Sequence, residues 1–336
     1  MILPRRPLLL AGLLPAGAAA QPARPAAPPA AAWRGVTLMQ VPGFPYGGAD
    51  ARFALRQVAA LGADAVALVP FLWQSGPASA SVARGGDLDP AALAETIARA
   101  CAAGLKVLVK PHLWVEGGRA EAAAPANEVG WRAWFAGYGE ALLELAKLSQ
   151  AAGAEALAIG TGLSRSIGRP EWRALADPLR AAFRGRLIYV ANSLEEAEGI
   201  GFWDRLDGIG LRLVPALGRD DGPEEWGVVM RREAERLDRL AARLRRRIWV
   251  AELGLRSAAG AARRPWETVE ERRAPADPRV QAAVLARWLK ALDRPSVEAV
   301  LVWRWFTDPG RGGPEDTDFT PQGKLAEGVL MGAWAR

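Results

Sequence analysis

Glu252 is the residue of this chain best placed by its surroundings to do chemistry. It follows the apolar run Ile248-Trp249-Val250-Ala251, so a strand ends by delivering a carboxylate. A carboxylate so presented can attack the anomeric carbon of a glycoside, the nucleophile's part in retaining hydrolysis. The plainer reading is an ion pair with a neighbouring Arg or Lys. Polar and aromatic residues recur at the ends of similar runs. Lys110-Pro111-His112 leads to Trp114 and Glu116, and Pro70-Phe71 leads to Trp73 and Gln74. Gly160-Thr161-Gly162 precedes Ser164 and Arg165, and Asn192, Arg212, Trp303 and Trp305 end other runs. Such a set suits carbohydrate: the C–H faces of a sugar pack on indole, and its hydroxyls need fixed polar partners.

Other chemistries are excluded by composition. The 336 residues hold one histidine and one cysteine, so a His-based metal site or a Ser-His-Asp triad has a single member to draw on. No metal and no cofactor is expected, and carboxylates become the default catalytic groups. Cys101, in an Ala-rich helical stretch, reads as a small buried hydrophobe. There are 14 tryptophans. Trp134, Trp172 and Trp288 sit in helical patterns and read as core, whereas Trp303 and Trp305, two apart on a strand, share a face and read as cleft lining. His112 is either a satisfied core residue or a sugar-hydroxyl contact, and its place beside Lys110 favours contact.

Net charge is +6, with only five of the 43 basic residues lysine and the rest arginine. The densest run, Arg231 to Arg247, is interleaved with Leu237, Leu240 and Leu244 at helical spacing, the mark of a solvated amphipathic face. No nucleic-acid-binding motif accompanies it, so no nucleic-acid partner is expected.

The elements that must position these residues alternate regularly. Apolar, β-rich runs fall at Gly35–Met39, Ala65–Val69, Lys106–Lys110, Ala156–Gly160, Leu187–Ala191, Gly208–Leu213, Ile248–Glu252 and Ala299–Trp303. Between them the spacing predicts helices at Asp50–Leu61, Pro90–Ala103, Glu128–Ala152, Pro170–Phe183, a short one near Phe202–Leu206, then Pro223–Arg246, Asp277–Leu292 and Gln322–Trp334. Asp89-Pro90, Arg169-Pro170 and Gly222-Pro223 supply helix starts. Apolar strands separated by helices imply a parallel sheet covered on both faces. A doubly wound sheet would show a Gly-rich phosphate turn after its first strand, and Met39-Gln40-Val41-Pro42-Gly43 is not one. The expected fold is α/β, a single (β/α)8 TIM barrel over 33–336, whose chemistry belongs at the C-terminal ends of the strands.

The N-terminus reads as a targeting segment. Arg5-Arg6 precede the apolar run Leu8 to Leu14, and Ala18-Ala19-Ala20 offers a cleavage site before Gln21. This is the pattern of a secretory signal peptide over 1–20, too short to span a bilayer, so no stable membrane anchor is expected. The paired arginines fit a twin-arginine route only loosely. Residues 21–32 are almost wholly Ala and Pro, a linker composition. The expected location is exported, periplasmic or extracellular. Nothing in the sequence sets an oligomeric state.

Taken in order, several stretches give the chain a wider likeness. They are Gly104-Leu105-Lys106-Val107-Leu108-Val109-Lys110-Pro111-His112, Trp134-Phe135-x-x-Tyr138, Ile159-Gly160-Thr161, Tyr189-x-x-Asn192 and Phe202-Trp203-Asp204-x-Leu206-Asp207-x-Ile209-Gly210. Ala251-Glu252-Leu253-Gly254 and Trp303-x-Trp305 followed by Gly323-Lys324 complete the set. Together they resemble glycoside hydrolase family 113, retaining β-mannanases built on a carboxylate-pair barrel. The resemblance implies a polysaccharide or oligosaccharide substrate, Glu252 as nucleophile, and Lys110, His112, Asn192 and Trp303 as substrate contacts. It also exposes two departures. Where the family carries its general acid/base Glu after Gly-Thr on the fourth strand, this chain has Gly162; where it tends to carry an acidic and then an aromatic residue after the sixth, this chain has Arg212 and Val214. Two readings follow. One is an active mannanase-like glycosidase whose acid comes from elsewhere, Glu116 on its Gly-rich loop being the best substitute, with Glu171 and Asp308 behind it. The other is a catalytically inactive sugar-binding or scaffold barrel, a pseudoenzyme with Trp73, Trp114, Trp303 and Trp305 still holding polysaccharide.

Overall fold

The structure, a computed structural model, describes Met1 and residues 33–335; apart from Met1, the expected leader and linker lie outside the described residues. The barrel strands are β1 (Trp33–Met39), β2 (Ala65–Leu68), β5 (Lys106–Val109), β7 (Ala156–Thr161), β8 (Arg186–Ala191), β9 (Gly208–Leu213), β10 (Arg247–Leu253) and β11 (Val297–Phe306). They close in the order β1-β11-β10-β9-β8-β7-β5-β2, every pair parallel. The fold is a single (β/α)8 TIM barrel.

Alternation along these strands builds two cores. One set of side chains fills the barrel: Ala65, Ala67, Ala156, Ala158, Ala251 and Ala299 leave room for the indoles of Trp33 and Trp249, whose centroids lie 4.8 Å apart. Small residues here are a packing requirement, since a Cβ on Gly208 would come within 2.5 Å of Trp249 Nε1. The alternate set, with Leu38, Leu68, Val107 and Leu211 among it, packs outward on the helices. Those are α1 (Ala49–Ala60), α2 (Pro90–Ala102), α3 (Glu128–Ala152), α4 (Glu171–Ala182), α5 (Leu194–Gly199), α6 (Pro223–Leu244), α7 (Pro278–Ala291) and α8 (Leu325–Trp334). Side chains cap several starts: Asp89 accepts from Ala91 N, Asn127 from Gly130 N and Asp277 from Arg279 N. Each satisfies a backbone donor that the first helical turn leaves open.

The sequence reading needs correction in places. The short helix before β9 is α5, opened by the Ser193 hydroxyl accepting from Glu196 N, whereas Phe202–Leu206 holds only a single 3-10 turn at Trp203–Arg205. α8 begins after Gln322 because that side chain is buried and bonds the β11 backbone at Phe306 N, 2.7 Å away. The barrel also carries an addition. Past Pro70 and Pro111 the chain extends again as β3 (Phe71–Gln74) and β6 (His112–Val115), parallel to each other, with β4 (Ala83–Arg84) antiparallel outside β3. This small sheet continues the β2–β5 ladder, through Lys110 N to Leu68 O at 2.8 Å and His112 N to Pro70 O at 3.0 Å. It stands as a wall over one side of the barrel mouth.

Candidate functional site

The strand ends converge on a cavity of about 500 Å³ at the C-terminal face, with Glu252 in its lining. Strand β10 delivers Glu252 there, 7 % exposed. Beside it, Lys110 at the end of β5 is fully buried and donates from Nζ to Glu252 Oε1, with the Ala251 carbonyl 3.4 Å away. His112 Nε2 lies 3.1 Å from the same Oε1 but off the line of a good hydrogen bond, leaving a buried ring nitrogen without a partner among the described residues. Burial alone would raise the carboxyl of Glu252, but the charge of Lys110, the contact with His112 and the charge of Arg212 outweigh it and hold the group far below the ordinary glutamate range. Burial pushes His112 down against the pull of Glu252, so its imidazole is neutral near pH 7. The floor of the cavity is an ionised carboxylate gripped by a buried ammonium.

The aromatic wall is built in tiers. His112 stacks on Trp303 with centroids 5.5 Å apart and planes 8° from parallel, Phe71 meets His112 edge-on at 6.0 Å, and Lys110 Nζ sits 4.7 Å from the Trp303 ring. Higher up, Trp73 and Trp114 are register partners on β3 and β6, both with their rings exposed to solvent. Trp114 lines the cavity, while Trp73 stands outside its rim. The opposite face of this sheet is buried on α3, where Trp134 Nε1 donates to Gln74 Oε1 at 2.8 Å. Across the mouth, Thr161, Gly162, Asn192 and Arg212 come from β7, β8 and β9. Gly162 has φ +64°, and a Cβ there would find only Asn192 Oδ1, at 3.9 Å.

Several other residues singled out in the sequence lie outside the cavity. Trp305 is fully buried in the outer core and does not face the cleft. Its register with β1 gives the reason: Thr37 pairs with Trp303 and Leu38 with Trp305, so Arg304 is a bulged extra residue that turns the two indoles to opposite sides. The bulge carries a cis peptide bond between Trp303 and Arg304. Glu116 is exposed at the tip beyond β6 and does not line the cavity. Glu171 is tied to Arg169, and Asp308 also stands outside the cleft. The carboxylates that do reach the lining are Glu121, on the 3-10 turn Ala120–Ala122, and Glu270, on the long segment after β10. That segment also brings in Trp266, 42 % exposed. Its length was the available signal, since a connection from 254 to 277 far exceeds the usual two to six residues and such loops are commonly functional.

The profile of Glycoside Hydrolase Family 113 matches residues 40–324. Among solved structures, the GH113 β-mannanase AaManA from Alicyclobacillus acidocaldarius, in complex with ManMIm, superposes with TM-score 0.77 at 22 % identity, covering 90 % of this chain and 97 % of that one. A GH113 β-1,4-mannanase gives TM-score 0.77 at 22 % identity, with 91 % and 100 % covered. A β-glucuronidase from Ruminococcus gnavus gives 0.62 at 12 % identity, with 90 % of this chain but 50 % of that one covered. A search of curated proteins finds no match. The profile spans most of a chain that folds as the matching barrel: the chain belongs to glycoside hydrolase family 113.

Proposed function

We propose that this chain is an exported, mannanase-like glycoside hydrolase in which Glu252 is the nucleophile and position 162 supplies no acid. The observation that carries the proposal is Glu252 itself, held ionised by Lys110 at the base of an aromatic-walled cleft. A carboxylate oxygen there forms a bond to the anomeric carbon as the bond to the leaving oxygen breaks, giving a glycosyl-enzyme. The developing alkoxide then needs a proton, and such general acid help is worth about 10²- to 10⁴-fold. Gly162 has no proton to give. Natural glycosides therefore react slowly, while an aryl glycoside with an acidic phenol reacts without assistance. The likeness to β-mannanases supports a β-linked hexose polymer as the substrate, and residues 1–20 support export.

The glycine at 162 equally favours a second reading, a barrel that binds polysaccharide without turnover. One experiment separates them. On incubation with 2,4-dinitrophenyl β-mannoside, a nucleophilic Glu252 accumulates as a glycosyl ester, located by peptide mass spectrometry, and azide releases it as a glycosyl azide of retained configuration. Absence of any adduct, with phenol release no faster than in Glu252→Gln, removes the hydrolase reading and leaves the binding barrel.

A further inference from the structure

Arg212 has donors to spare inside the cleft. It ends β9 as the register partner of Glu252 on β10 and lines the cavity with Asn192, Gly162 and Glu121. Its side chain is 27 % exposed. Among the described residues its one hydrogen bond is long, from Nε to the Asn192 carbonyl at 3.4 Å. Glu121 stands 3.7 Å from Nη2, near enough to attract it but beyond hydrogen-bond reach. A guanidinium offers five N–H donors in a planar fork, and most of this fork is unengaged. The other two arginines of the lining are not: Arg304 donates to both oxygens of Asp318 at 3.3 and 2.8 Å, and Arg119 donates to Glu271.

The Arg212 side chain is partly exposed where it lines the cavity, so a ligand can reach its spare donors, and the partner that fits a planar fork best is a carboxylate held by two parallel bonds. The space for such a group is also present. Gly162 presents no side chain to the cavity, and the nearest atom to a Cβ there belongs to Asn192, the residue whose backbone carbonyl accepts from Arg212. Lys110 does not compete for an anion, being engaged with Glu252. A net charge of +6 favours the approach of a polyanion.

We infer that the cleft takes a β-linked polymer of acidic sugars, hexuronic acids, with a ligand carboxylate paired to Arg212 in the space beside Gly162. The protein thus lacks a carboxylate where its substrate brings one. This inference rests on the reading of the cleft as a sugar site and adds the class of sugar.

The test compares ligands that differ only at C6. The intact chain is titrated calorimetrically with tetramers of β-1,4-mannuronate and β-1,4-glucuronate, and with mannotetraose and cellotetraose as their neutral counterparts. At low ionic strength at least one acidic tetramer should bind tenfold or more tighter than its neutral counterpart. That preference should shrink with added salt, vanish in Arg212→Met and survive in part in Arg212→Lys. Because the comparison is made first on the unaltered protein, a variant that fails to fold does not obscure it. Neutral tetramers binding as well as or better than both acidic ones overturns the inference and leaves the proposed function standing. An acidic preference unchanged in Arg212→Met assigns the anion to another residue and also overturns it. Binding of none of the four sugars overturns the inference together with the reading on which it rests.

Discussion

Restoring a carboxylate at Gly162 separates a cleft that merely lacks an acid from one built for another purpose. Two quantities oppose each other in Gly162→Glu. The backbone has φ +64°, a left-handed conformation that costs an L side chain about 1–2 kcal/mol. Space is no obstacle, since only Asn192 Oδ1 lies within 4 Å of the added Cβ, at 3.9 Å. The variant should therefore fold, with Tm lower by about 2–8 °C at the few degrees per kcal/mol typical of large domains. Against this, a well-placed acid gives about 10²- to 10⁴-fold, and a side chain without supporting neighbours recovers less than that range, about 10- to 100-fold. The gain must be selective. Hydrolysis of an unactivated β-1,4-oligosaccharide should rise, while glycosyl-enzyme formation from a dinitrophenyl glycoside should hardly change. Gly162→Asn, which tolerates φ > 0 but supplies no acid, controls for backbone strain. Equal gains on both substrates, or no gain on either in a variant that melts within the expected range, would refute the assignment of position 162 as the missing acid.

Three further outcomes follow from the same geometry. Lys110→Met strands a buried carboxylate and should cost about 3–5 kcal/mol in stability, much of it recovered by Glu252→Gln in the double variant; denaturant melts of the three proteins check this. Trp303→Ala should weaken oligosaccharide binding by about 1.5–3 kcal/mol with little change in fold, whereas Trp305→Ala should leave binding intact and lower stability by about 3–5 kcal/mol. The reverse pattern would place Trp305 in the cleft and Trp303 in the core. Glu252 has a folded pKa below its unfolded one, so its contribution to stability is present above about pH 4.3 and is lost as pH falls below that value. Adduct formation from the dinitrophenyl glycoside should accordingly stay flat as pH falls through about 4.3 in protein that remains folded, and an acid limb centred near that pH would show Glu252 to be unperturbed.

The barrel was legible because its strands are buried on both sides and read as unbroken apolar runs, such as Ile248-Trp249-Val250-Ala251. Glu252, Lys110 and Asn192 could be placed because they directly follow such runs. The failures have local causes. Trp303 and Trp305 obey period-two spacing in sequence, but the extra residue Arg304 resets the pleat, and a bulge leaves no trace in hydrophobic alternation. Glu116 lies close in sequence to a strand end, yet β6 carries the chain upward past Pro111, so it sits at the tip while Glu121 returns to the cleft. Trp266 and Glu270 reach the site through the three-dimensional path of a long loop, which spacing does not encode.

The wall formed by β3 and β6 gives the cleft a built-in scale. Four residues of strand rise about 13 Å above the barrel rim, and because they prolong the β2–β5 register, their height is fixed as firmly as the barrel's own strands. His112 and Phe71 mark the lower rung and Trp73 and Trp114 the upper, two residues further along each strand. On the proposed reading of the cleft as a sugar site, the reach of this wall along a polymer would be set by strand length rather than loop length. Lengthening or shortening this ladder in steps of two residues would add or remove an aromatic rung while leaving Glu252 and Lys110 where they are. On that reading, the span of polymer recognised and the chemistry at the bond would belong to separable parts of the same fold, and each could change without the other.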